Sequence, residues 1–453
     1  MDASIVSAIF KAYDVRGKVG TELNPEVAGR IGKAFADWLP DEGQVAVGRD
    51  MRADSLELAN ELIGGLLAQG RDVVDIGEVT SDMIYYAVGS LKLAGGVMVT
   101  ASHNPGIYNG IKFCGKDARA VGAESGLFDI RDMVIANKFT PASNSGSLSQ
   151  KEIDEGWIDH VLSFIKSDKL KPIKIAVDTG NGMAGKIFAE LEPFLPFEVT
   201  ELYFELDGTF PNHEANPMKF ETLTELIKTI KSNKLFGGIA FDGDGDRAFL
   251  VDETGTVLAG GVMCALMSEY FLSEYPGSNI VYDARNSHSV LDVIKKSGGK
   301  PVITRVGHSY IKQTMREVDA PFGGEASGHF YFRDNWYADS GLIGAMIGLY
   351  VATISGKSLS AIREEYTLYA AIPETNFLVE DKDGAIKRIE EAFPDTKPDN
   401  LDGITLDFGD GSWLNVRPSN TESILRLNAE ANSQPELDKL VTKVTDLIKN
   451  TNN

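Results

Sequence analysis

Three aspartates, Asp242, Asp244 and Asp246, alternate with glycines in one short stretch. Carboxylates this close repel one another unless a cation lies among them, and glycines allow the backbone to fold tightly around a hard divalent ion. An EF-hand would use Glu253 at its twelfth position, but its sixth position is Arg247, where that loop needs glycine. A solvated acidic turn is the other alternative. The spacing favours a divalent-metal site completed by further ligands, and a phosphate oxygen is a natural further ligand of Mg²⁺.

A second candidate site follows the apolar residues 97–99. Ser102 places a hydroxyl at the end of a predicted strand, with the imidazole of His103 beside it, so Ser102 could be a nucleophile or a phosphate carrier. Pro105 and Gly106 keep the segment from continuing as helix or strand. The same residue types build polar β-turns, and this stretch alone does not separate the two interpretations.

Two further polar loops have the chemistry to bind a sugar phosphate. One offers Glu325, Ser327 and His329 to sugar hydroxyls, although His329 could equally be a structural histidine. The other could cradle an anion with a guanidinium, hydroxyls and freed backbone N–H groups, or it could be a polar hairpin turn. The members of this second loop are Arg417, Ser419, Asn420 and Thr421.

The glycine-rich run 180–185 follows a predicted strand and precedes a predicted helix. It matches a dinucleotide-binding fingerprint, for which Glu201 or Glu205 would have to supply the acidic partner. Close packing of strand against helix explains the same glycines, and nothing else in the chain suggests nicotinamide chemistry. We therefore favour the packing interpretation over an oxidoreductase.

The elements that would position these loops repeat three times. Short apolar strands near 44–50, 173–180 and 279–285 are each followed by a helix and a second strand, which is a βαβ unit. A helical stretch, a pair of glycines and a polar loop follow each unit. The pattern predicts three related α/β domains with mixed sheets and a smaller α+β C-terminal domain, with bounds 1–150, 151–255, 256–365 and 366–453.

Two local predictions concern the beginning and the middle of the chain. The apolar start that leads to Asp14, Arg16 and Gly17 predicts a strand leaving into a tight turn. Asn24 can cap a helix that begins at Pro25. The apolar run 341–354 is too short to span a bilayer and predicts a buried helix.

Composition limits the classes of partner. The chain has 453 residues, a formal net charge of −22 and two cysteines without metal spacing, and its first ten residues lead us to expect no signal peptide. We expect a cytoplasmic protein that binds neither nucleic acid nor membrane, since phosphate backbones require a basic face. An anionic substrate would need a local basic island, for which the candidates in or beside glycine-rich turns are Arg16, Arg49, Lys112, Arg247, Arg285, His308, His329 and Arg417.

Taken together, four loops resemble those of the α-D-phosphohexomutase superfamily, and within it the phosphomannomutase/phosphoglucomutase family. They occur in the family's order at residues 100–105, 242–247, 324–329 and 417–422, so the resemblance covers essentially the whole chain. It implies four domains around a central cleft. It also implies that Ser102 carries a phosphoryl group and holds Mg²⁺ together with the three aspartates.

The resemblance implies roles for the remaining candidates. Lys112 is similar to the family's general acid/base, and Arg16, Arg247 and His308 to residues around the transferring phosphate. Glu325 and Ser327 would read sugar hydroxyls, with Arg285 and His329 also in the substrate site. His103 would shape or neutralise the phosphate rather than act as a hydrolase-type base. The remaining phosphate would be clamped by Arg417, Ser419, Asn420 and Thr421.

The implied reaction interconverts mannose 6-phosphate and mannose 1-phosphate through a hexose 1,6-bisphosphate, in a monomer or small homo-oligomer. Residues 331–341 look most like phosphomannomutases, whereas glucose phosphates, or both sugars, are the alternative. Asn420 stands where glucosamine-phosphate mutases typically have glycine, so that activity is less expected. The departures from the family pattern are Ala326, Ser423 and Arg285, which bear on sugar recognition. A calcium- or sugar-phosphate-binding protein without catalysis is the non-enzymatic alternative.

Overall fold

The computed structural model describes residues 2–140, 142–419 and 423–449. The chain forms two compact units. The first unit contains the described parts of 1–258 together with 328–360, and the second contains the described parts of 259–327 and 361–453.

Helices and strands alternate along most of the chain. The α-helices of the described residues are α1 Ala3–Ile9, α2 Pro25–Trp38, α3 Ser55–Ala68, α4 Ser81–Ser90, α5 Leu127–Ala136, α6 Asp154–Leu162, α7 Ala184–Leu191, α8 Thr224–Asn233, α9 Gly260–Glu274, α10 His288–Lys296, α11 His308–Val318, α12 Gly341–Ser355, α13 Leu359–Tyr366, α14 Lys382–Ala392 and α15 Gln434–Lys449. The strands of the same residues are β1 Val15–Lys18, β2 Val45–Arg49, β3 Val73–Glu78, β4 Gly95–Val99, β5 Tyr108–Gly115, β6 Arg119–Ala120, β7 Leu148–Gln150, β8 Ile173–Asp178, β9 Phe197–Leu202, β10 Gly237–Phe241, β11 Ala248–Asp252, β12 Asn279–Asp283, β13 Lys300–Thr304, β14 Phe322–Gly324, β15 Phe330–Phe332, β16 Ala338–Asp339, β17 Ala370–Ala371, β18 Thr375–Leu378, β19 Ile404–Asp407, β20 Trp413–Pro418 and β21 Ile424–Ala431.

The first unit contains two mixed sheets. The larger has the strand order β1-β5-β4-β2-β3-β7, with β6 beside β5, and the smaller has the order β11-β10-β8-β9. In the larger sheet β2 is parallel to both β3 and β4, whereas β5 is antiparallel to β1 and β4. Strands β15 and β16 of this unit form an antiparallel pair. The polar loops therefore leave the ends of apolar, fully buried strands.

The beginning of the chain corrects one prediction. The apolar start is the helix α1, because Asp2 caps it by accepting a hydrogen bond from Ser4 N, and Val6 and Ile9 bury its inner face. The strand comes later and carries Arg16 within β1. The predicted cap of α2 is confirmed, since Asn24 accepts from Val27 N.

The second unit contains a parallel set of strands and a separate antiparallel sheet. Strand β12 lies between β13 and β14 and is parallel to both. The C-terminal sheet has the order β17-β21-β20-β19, with β18 also paired to β21. Helices α14 and α15 cover this sheet and share its apolar core with residues such as Ile389, Leu427 and Val444. The smaller α+β C-terminal part is confirmed.

The three predicted glycine pairs occupy equivalent positions, each in a strand parallel to the central strand of its sheet. A Cβ on Gly96 would lie 2.7 Å from atoms of Ile84 and Val88, and one on Gly238 would lie 2.8 Å from Leu226. A Cβ on Gly323 would lie 2.6 Å from the sulfur of Met315. The repeated glycines thus let the preceding helix pack directly on its strand, which gives the threefold sequence repeat a packing cause.

The predicted buried helix at 341–354 is confirmed as α12, whose side chains are almost all buried. In the described part of the chain, no single helix is long and apolar enough to cross a membrane. Helices α12 and α13 pass that test only as a pair, bent by 101°.

Helices α2 and α3 supply a prediction on stability, because their backbones touch. A Cβ on Gly65 would lie 2.2 Å from the Gly29 carbonyl oxygen, whereas one on the neighbouring Gly64 would meet nothing within 4 Å. We expect Gly65→Ala to lower the free energy of unfolding by about 1–3 kcal/mol through overpacking. Gly64→Ala, the matched control, should raise it by about 0.5–1 kcal/mol through helix propensity. Urea denaturation of both variants checks this, and equal effects would contradict the close crossing.

Candidate active site

Ser102 lies immediately after β4, in a strained backbone conformation. Its φ is +51°, in the left-handed region that non-glycine residues rarely adopt. Its N–H donates to Thr100 Oγ1 at 2.9 Å. Its hydroxyl is 3.0 Å from Asp242 Oδ2 and 3.1 Å from His103 Nδ1, and the side chain is buried. The structure therefore brings the serine loop and the aspartate loop together.

The three aspartates lie in the hairpin loop between β10 and β11. One carboxylate oxygen from each lies within 4.8 Å of the others, and all three side chains are buried. The flanking elements are antiparallel strands rather than helices, and Glu253 accepts hydrogen bonds from Ser360 instead of facing the cluster. The EF-hand alternative is therefore wrong.

Two cations compensate this buried negative charge. Lys112 Nζ, on β5, is 2.6 Å from both Asp244 Oδ2 and Asp246 Oδ2. Arg247 donates two hydrogen bonds to Asp242 Oδ2, at 3.0 and 2.8 Å. Burial lowers the pKa of Lys112, but the two carboxylates outweigh it and hold that pKa well above its usual value. Lys112 is therefore protonated in this arrangement.

The aspartates differ in their protonation equilibria. Burial raises the pKa of Asp242 to about 7, against the charge of Arg247. Burial acts in the same direction on Asp246, but there Lys112 and His329 outweigh it and hold the pKa below its usual value. The negative charge of the cluster therefore lies more on Asp246, which contacts Lys112, than on Asp242.

The donor set fits a divalent metal ion. Among the described residues, the buried atoms Asp244 Oδ1 and Asp246 Oδ1 have no hydrogen-bond partner, whereas the Oδ2 atoms of both residues bind Lys112. Hard oxygen ligands that lack a donor are what a divalent cation takes, and the third aspartate, Asp242, accepts a hydrogen bond from the Ser102 hydroxyl. The three aspartates and Ser102 would hold such an ion.

His103 is neutral at physiological pH. Burial, together with the neighbouring charges of Arg247 and Arg16, lowers the pKa of His103 to about 3. Its Nδ1 lies 2.5 Å from Arg247 Nη2, and because a guanidinium can only donate, Nδ1 must be the acceptor. His103 therefore orients Arg247 and Ser102 rather than supplying positive charge.

Arg52, which no sequence motif indicated, holds the serine loop through hydrogen bonds to its backbone carbonyls. Its guanidinium is almost fully buried and donates to four loop carbonyls at 2.6–3.0 Å and to the carboxylate of Asp50 at 3.1 Å. The four carbonyls belong to Ser102, Asn104, Pro105 and Tyr108.

A sequence signal for Arg52 exists in the threefold repeat. Arg52 follows Asp50 at the end of β2 as Arg285 follows Asp283 at the end of β12, and in both pairs the carboxylate accepts from the backbone N–H and Nε of the arginine. Comparison of the repeats would therefore have identified Arg52 once Arg285 was a candidate.

Arg16 reaches the same loop from β1 and borders an open basic cavity. It donates to the Ala101 carbonyl and to Asn104 Oδ1, and it pairs with Asp14. The cavity beside it measures about 690 Å³ and is lined by four cationic side chains together with His103 and Asn104. The four cations are Lys11, Arg16, Lys18 and Lys219. Glu22 and Glu214 also line the cavity, and Glu214 pairs with Lys219, so four cations face two carboxylates there. Of the candidates for a local basic island, Arg16 is the one that lines this cavity.

His329 also belongs to the first unit and lies near the aspartates. Its Nδ1 is 3.0 Å from Asp339 Oδ2, and Asp246, His329 and Asp339 offer atoms within 4.8 Å of one another. Burial opposes protonation of His329, but Asp246 and Asp339 outweigh it and raise its pKa. His329 is therefore a satisfied histidine beside the aspartate cluster, which agrees with both interpretations of the sequence.

The second unit brings four of the other candidates together. Arg285 donates to Asp283 Oδ2 at 3.0 and 2.6 Å and lies 3.7 Å from Glu325 Oε1. It also reaches Ser327 Oγ at 3.5 Å. Glu325 accepts from the N–H of Gly307, the residue immediately before His308. The Asp283 carboxylate therefore anchors this group.

The predicted anion cradle is described only in part. Arg417 donates to Glu374 Oε2 at 2.9 Å, and Ser419 is buried with its carbonyl accepting from Lys382. Asn420 and Thr421 lie outside the described residues.

The glycine-rich run 180–185 supports the packing interpretation. A Cβ on Gly182 would lie 2.8 Å from the Gly243 carbonyl oxygen, and one on Gly185 would lie 2.3 Å from that of Phe204. The run therefore supports the aspartate loop and a neighbouring strand directly, and leaves no approach for a pyrophosphate at these positions.

Comparisons with known proteins agree with the four-part organisation. The family models that match are those of phosphoglucomutase/phosphomannomutase: alpha/beta/alpha domain I over residues 7–140, domain II over 155–255, domain III over 259–369, and the C-terminal domain over 374–447. "Phosphohexose mutases" of Xanthomonas campestris pv. campestris is 40% identical over 94% of this chain and 96% of that protein. "Phosphomannomutase" of Salmonella montevideo is 38% identical over 96% and 97%.

Solved structures give the same result. A phosphoglucomutase/phosphomannomutase family protein from Burkholderia thailandensis has a TM-score of 0.90 at 31% identity, covering 100% of this chain and 99% of that one. An Aspergillus fumigatus N-acetylphosphoglucosamine mutase, in complex with GlcNAc-6P and magnesium, shares the fold with a TM-score of 0.62 at 14% identity and 98% coverage of both chains. The chain is a phosphohexomutase of four α/β and α+β domains, and it belongs to the phosphoglucomutase/phosphomannomutase family.

Proposed function

We propose that the protein interconverts mannose 6-phosphate and mannose 1-phosphate through a phosphorylated Ser102 and a hexose 1,6-bisphosphate, with Mg²⁺ as cofactor. The observation that carries the proposal is the Ser102 hydroxyl, 3.0 Å from Asp242 within a buried cluster of three aspartates. A hydroxyl surrounded by carboxylates is a poor free nucleophile, but once it carries a phosphoryl group it becomes the missing anionic ligand of a metal ion.

The transfer step breaks the bond between phosphorus and Ser102 Oγ and forms one between phosphorus and the free hydroxyl oxygen of the hexose phosphate. The sugar hydroxyl loses a proton, and Ser102 Oγ gains one. After the bisphosphate reorients, its other phosphoryl group returns to Ser102, so no phosphate is consumed. Such transfers depend chiefly on positioning and on neutralising charge on the phosphoryl oxygens.

Residues of the first unit would transfer the proton and neutralise the charge of the phosphoryl group. Lys112 would give a proton to the leaving Ser102 Oγ and take the proton of the sugar hydroxyl, so that its ammonium is restored and neutralises phosphoryl charge. Arg247 and Arg16 contribute further positive charge, and His103 orients Arg247. When bound to the three aspartates and the phosphoserine, Mg²⁺ would supply charge neutralisation at the phosphoryl oxygens.

The residues of the second unit bind the sugar end. Glu325, Ser327 and Arg285 form one hydrogen-bonding group for hydroxyls, with His308 next to it in sequence. Arg417 and Ser419 bind the phosphate that is not transferring, and we extend that role to Asn420 and Thr421. We also propose that the chain divides into the four predicted domains 1–150, 151–255, 256–365 and 366–453, each of which carries one of the four candidate loops.

Mannose is the preferred sugar in this proposal, supported by residues 331–341 and by the phosphomannomutases similar to this chain. A dual enzyme that also converts glucose phosphates is the second candidate, favoured by the relative named for phosphohexose mutases in general. A cytoplasmic location suits a phosphorylated substrate and two buried free thiols.

The phosphoenzyme is tested by intact-protein and peptide mass spectrometry. Incubation with glucose 1,6-bisphosphate should place one phosphoryl group on the peptide that contains Ser102. Ser102→Ala should remove this label and at least about 10³-fold of the mutase activity, since the group that forms the covalent intermediate is lost. Ser163→Ala, at an exposed helix end, is the matched control and should retain both. Activity that survives in Ser102→Ala would refute the proposed carrier.

The sugar is tested with coupled assays on mannose, glucose and glucosamine 1-phosphates under the same conditions. We expect kcat/KM to be highest for mannose 1-phosphate, followed by glucose 1-phosphate. Equal values for those two would favour the dual enzyme, and a much higher value for glucosamine 1-phosphate would reject the mannose assignment.

The metal site predicts a cation-dependent stability. Saturating Mg²⁺ should raise the Tm of the EDTA-treated protein by a few degrees, because an ion that binds only the folded state stabilises it. Asp244→Asn should lose this increment. Asp252→Asn, which alters a buried carboxylate that accepts hydrogen bonds from Thr254 and Thr256 and lies outside the aspartate cluster, should keep it. An undiminished increment in Asp244→Asn would contradict the assignment of ligands.

Arg52 predicts a loss of catalysis without loss of substrate binding. Arg52→Lys keeps the positive charge but can satisfy fewer of the loop carbonyls, so Ser102 should lose its fixed position. We expect kcat to fall about 10–100-fold, with KM changed far less. Arg71→Lys is the control, because Arg71 also donates to three backbone carbonyls, but at the end of α2. Equal effects on kcat in both variants would contradict a positioning role for Arg52.

A further inference from the structure

One exposed methionine of the first unit touches the guanidinium of Arg247. Arg247 Nη1 donates to Met218 Sδ at 3.2 Å. The other nitrogens of this guanidinium bond to Asp242 and to His103. A thioether is a weak acceptor, so the hydrogen bond of Nη1 is weaker than those of Nε and Nη2 to the carboxylate. The Nη1 end of the guanidinium is therefore the one that a stronger acceptor can take over.

The turn that carries Met218 fixes the position of its backbone. Asn216 Oδ1 accepts from the Met218 N–H at 3.2 Å, and the Asn216 carbonyl accepts from the Lys219 N–H at 3.0 Å. Thr222 Oγ1 donates to the carbonyls of Asn216 and Lys219, at 2.9 and 2.7 Å. Asn216 and Lys219 both line the cavity beside Arg16. Met218 thus lies between two residues of that cavity, and its own side chain is the flexible part of the turn.

Met218 is also the methionine that an oxidant in solution reaches most easily. It is 55% exposed, whereas the other methionines of the described residues are buried or half-buried. Both cysteines, Cys114 and Cys264, are buried, and burial raises the pKa of the Cys264 thiol. Thiols react with peroxides as exposed thiolates, so these two are poor competitors. In the described part of the chain, a peroxide is therefore directed first to Met218.

We propose that Met218 is a reversible oxidation site through which hydrogen peroxide lowers the mutase activity. The inference rests on the proposed function, because it needs Arg247 to neutralise the charge of the transferring phosphoryl group. In the oxidation, Met218 Sδ attacks one oxygen of the peroxide, so that an S–O bond forms and the O–O bond breaks. The proton of the transferred hydroxyl group passes to the departing hydroxide, which leaves as water. The thioether is thereby oxidised to a sulfoxide, and the peroxide is reduced to water.

The sulfoxide changes the contact with Arg247. Oxidation converts a flexible apolar side chain into a polar one, whose oxygen is a stronger acceptor than the sulfur was. Because Met218 Sδ already lies 3.2 Å from Arg247 Nη1, rotation of the side chain brings the new oxygen to that nitrogen. A phosphoryl oxygen must then displace a charge-assisted hydrogen bond before it can bind Nη1. The guanidinium keeps its charge, so the activity falls without being abolished.

The test is treatment of the full-length protein with hydrogen peroxide, followed by peptide mass spectrometry and mutase assays on the same samples. The peptide that contains Met218 should gain one oxygen atom before any other methionine peptide does. As this sulfoxide accumulates, kcat/KM should fall to about one tenth, which is the effect of one hydrogen bond to a charged group. Methionine sulfoxide reductases acting with a dithiol should restore both the thioether and the activity.

Three variants separate this effect from general oxidative damage. Met218→Leu lacks the sulfur, and it should keep its own untreated activity through the same exposure. Met133→Leu is the matched control, because Met133 is half-buried and packs against the core of the first unit, and it should stay as sensitive as the wild type. Met218→Gln offers an amide oxygen in place of the sulfoxide, so without any oxidant its kcat/KM should be lower than that of Met218→Leu.

Loss of activity in Met218→Leu at the wild-type rate would overturn the inference, and so would full oxidation of Met218 with kcat/KM unchanged. Earlier oxidation of another methionine peptide would also overturn it, because Met218 would then not be the preferred site. Absence of turnover in the untreated wild-type protein would instead refute the proposed function. The order in which the methionine peptides gain oxygen does not depend on turnover, so the two failures are distinguishable.

Discussion

Three buried carboxylates within 4.8 Å of one another are the constraint on which the first unit depends. Burial of isolated ionised groups costs several kcal/mol each, so the fold must deliver cations to the same place. Lys112 comes from β5 and Arg247 from the end of the aspartate loop itself. The strands are therefore arranged so that antiparallel β5 places its lysine beside a loop from the other sheet of the unit. The charge of the three carboxylates is thus largely balanced by two cations that the fold itself supplies.

The position of the reactive hydroxyl has a separate cause. A left-handed serine is costly on its own and persists only where its surroundings determine it. Arg52 does so with hydrogen bonds to four carbonyls on one side of the loop, while Asp242 binds the hydroxyl on the other. Because one guanidinium bonds four carbonyls of the loop at once, it fixes their positions relative to one another. Positioning of this kind is what phosphoryl transfer requires.

Much of this could be predicted from the sequence. The βαβ periodicity, the glycine pairs and the Asn24 cap are local signals, and local geometry determines them. The helix α1 was missed because a short apolar segment is compatible with strand and helix alike, and the Asp2 cap decides between them. Arg52 was missed because its partners lie about 50 residues away in the chain. The resemblance to a family supplied residue types for the site, but the neutral state of His103 depends on its burial and on the arginines around it, which only the fold reveals.

The same local structure, an aspartate that binds the arginine two residues later, occurs in Asp50/Arg52 and in Asp283/Arg285. In both copies the aspartate at the end of the central strand fixes the arginine backbone and Nε, so the rest of the guanidinium points away from the strand in the same manner. Around Arg52 the available acceptors are backbone carbonyls, and the residue becomes structural. Around Arg285 they are the carboxylates of Glu325, at 3.7 Å, and Glu374, at 4.0 Å. Divergence of the surrounding loops, rather than of the pair itself, therefore gives the two arginines different environments.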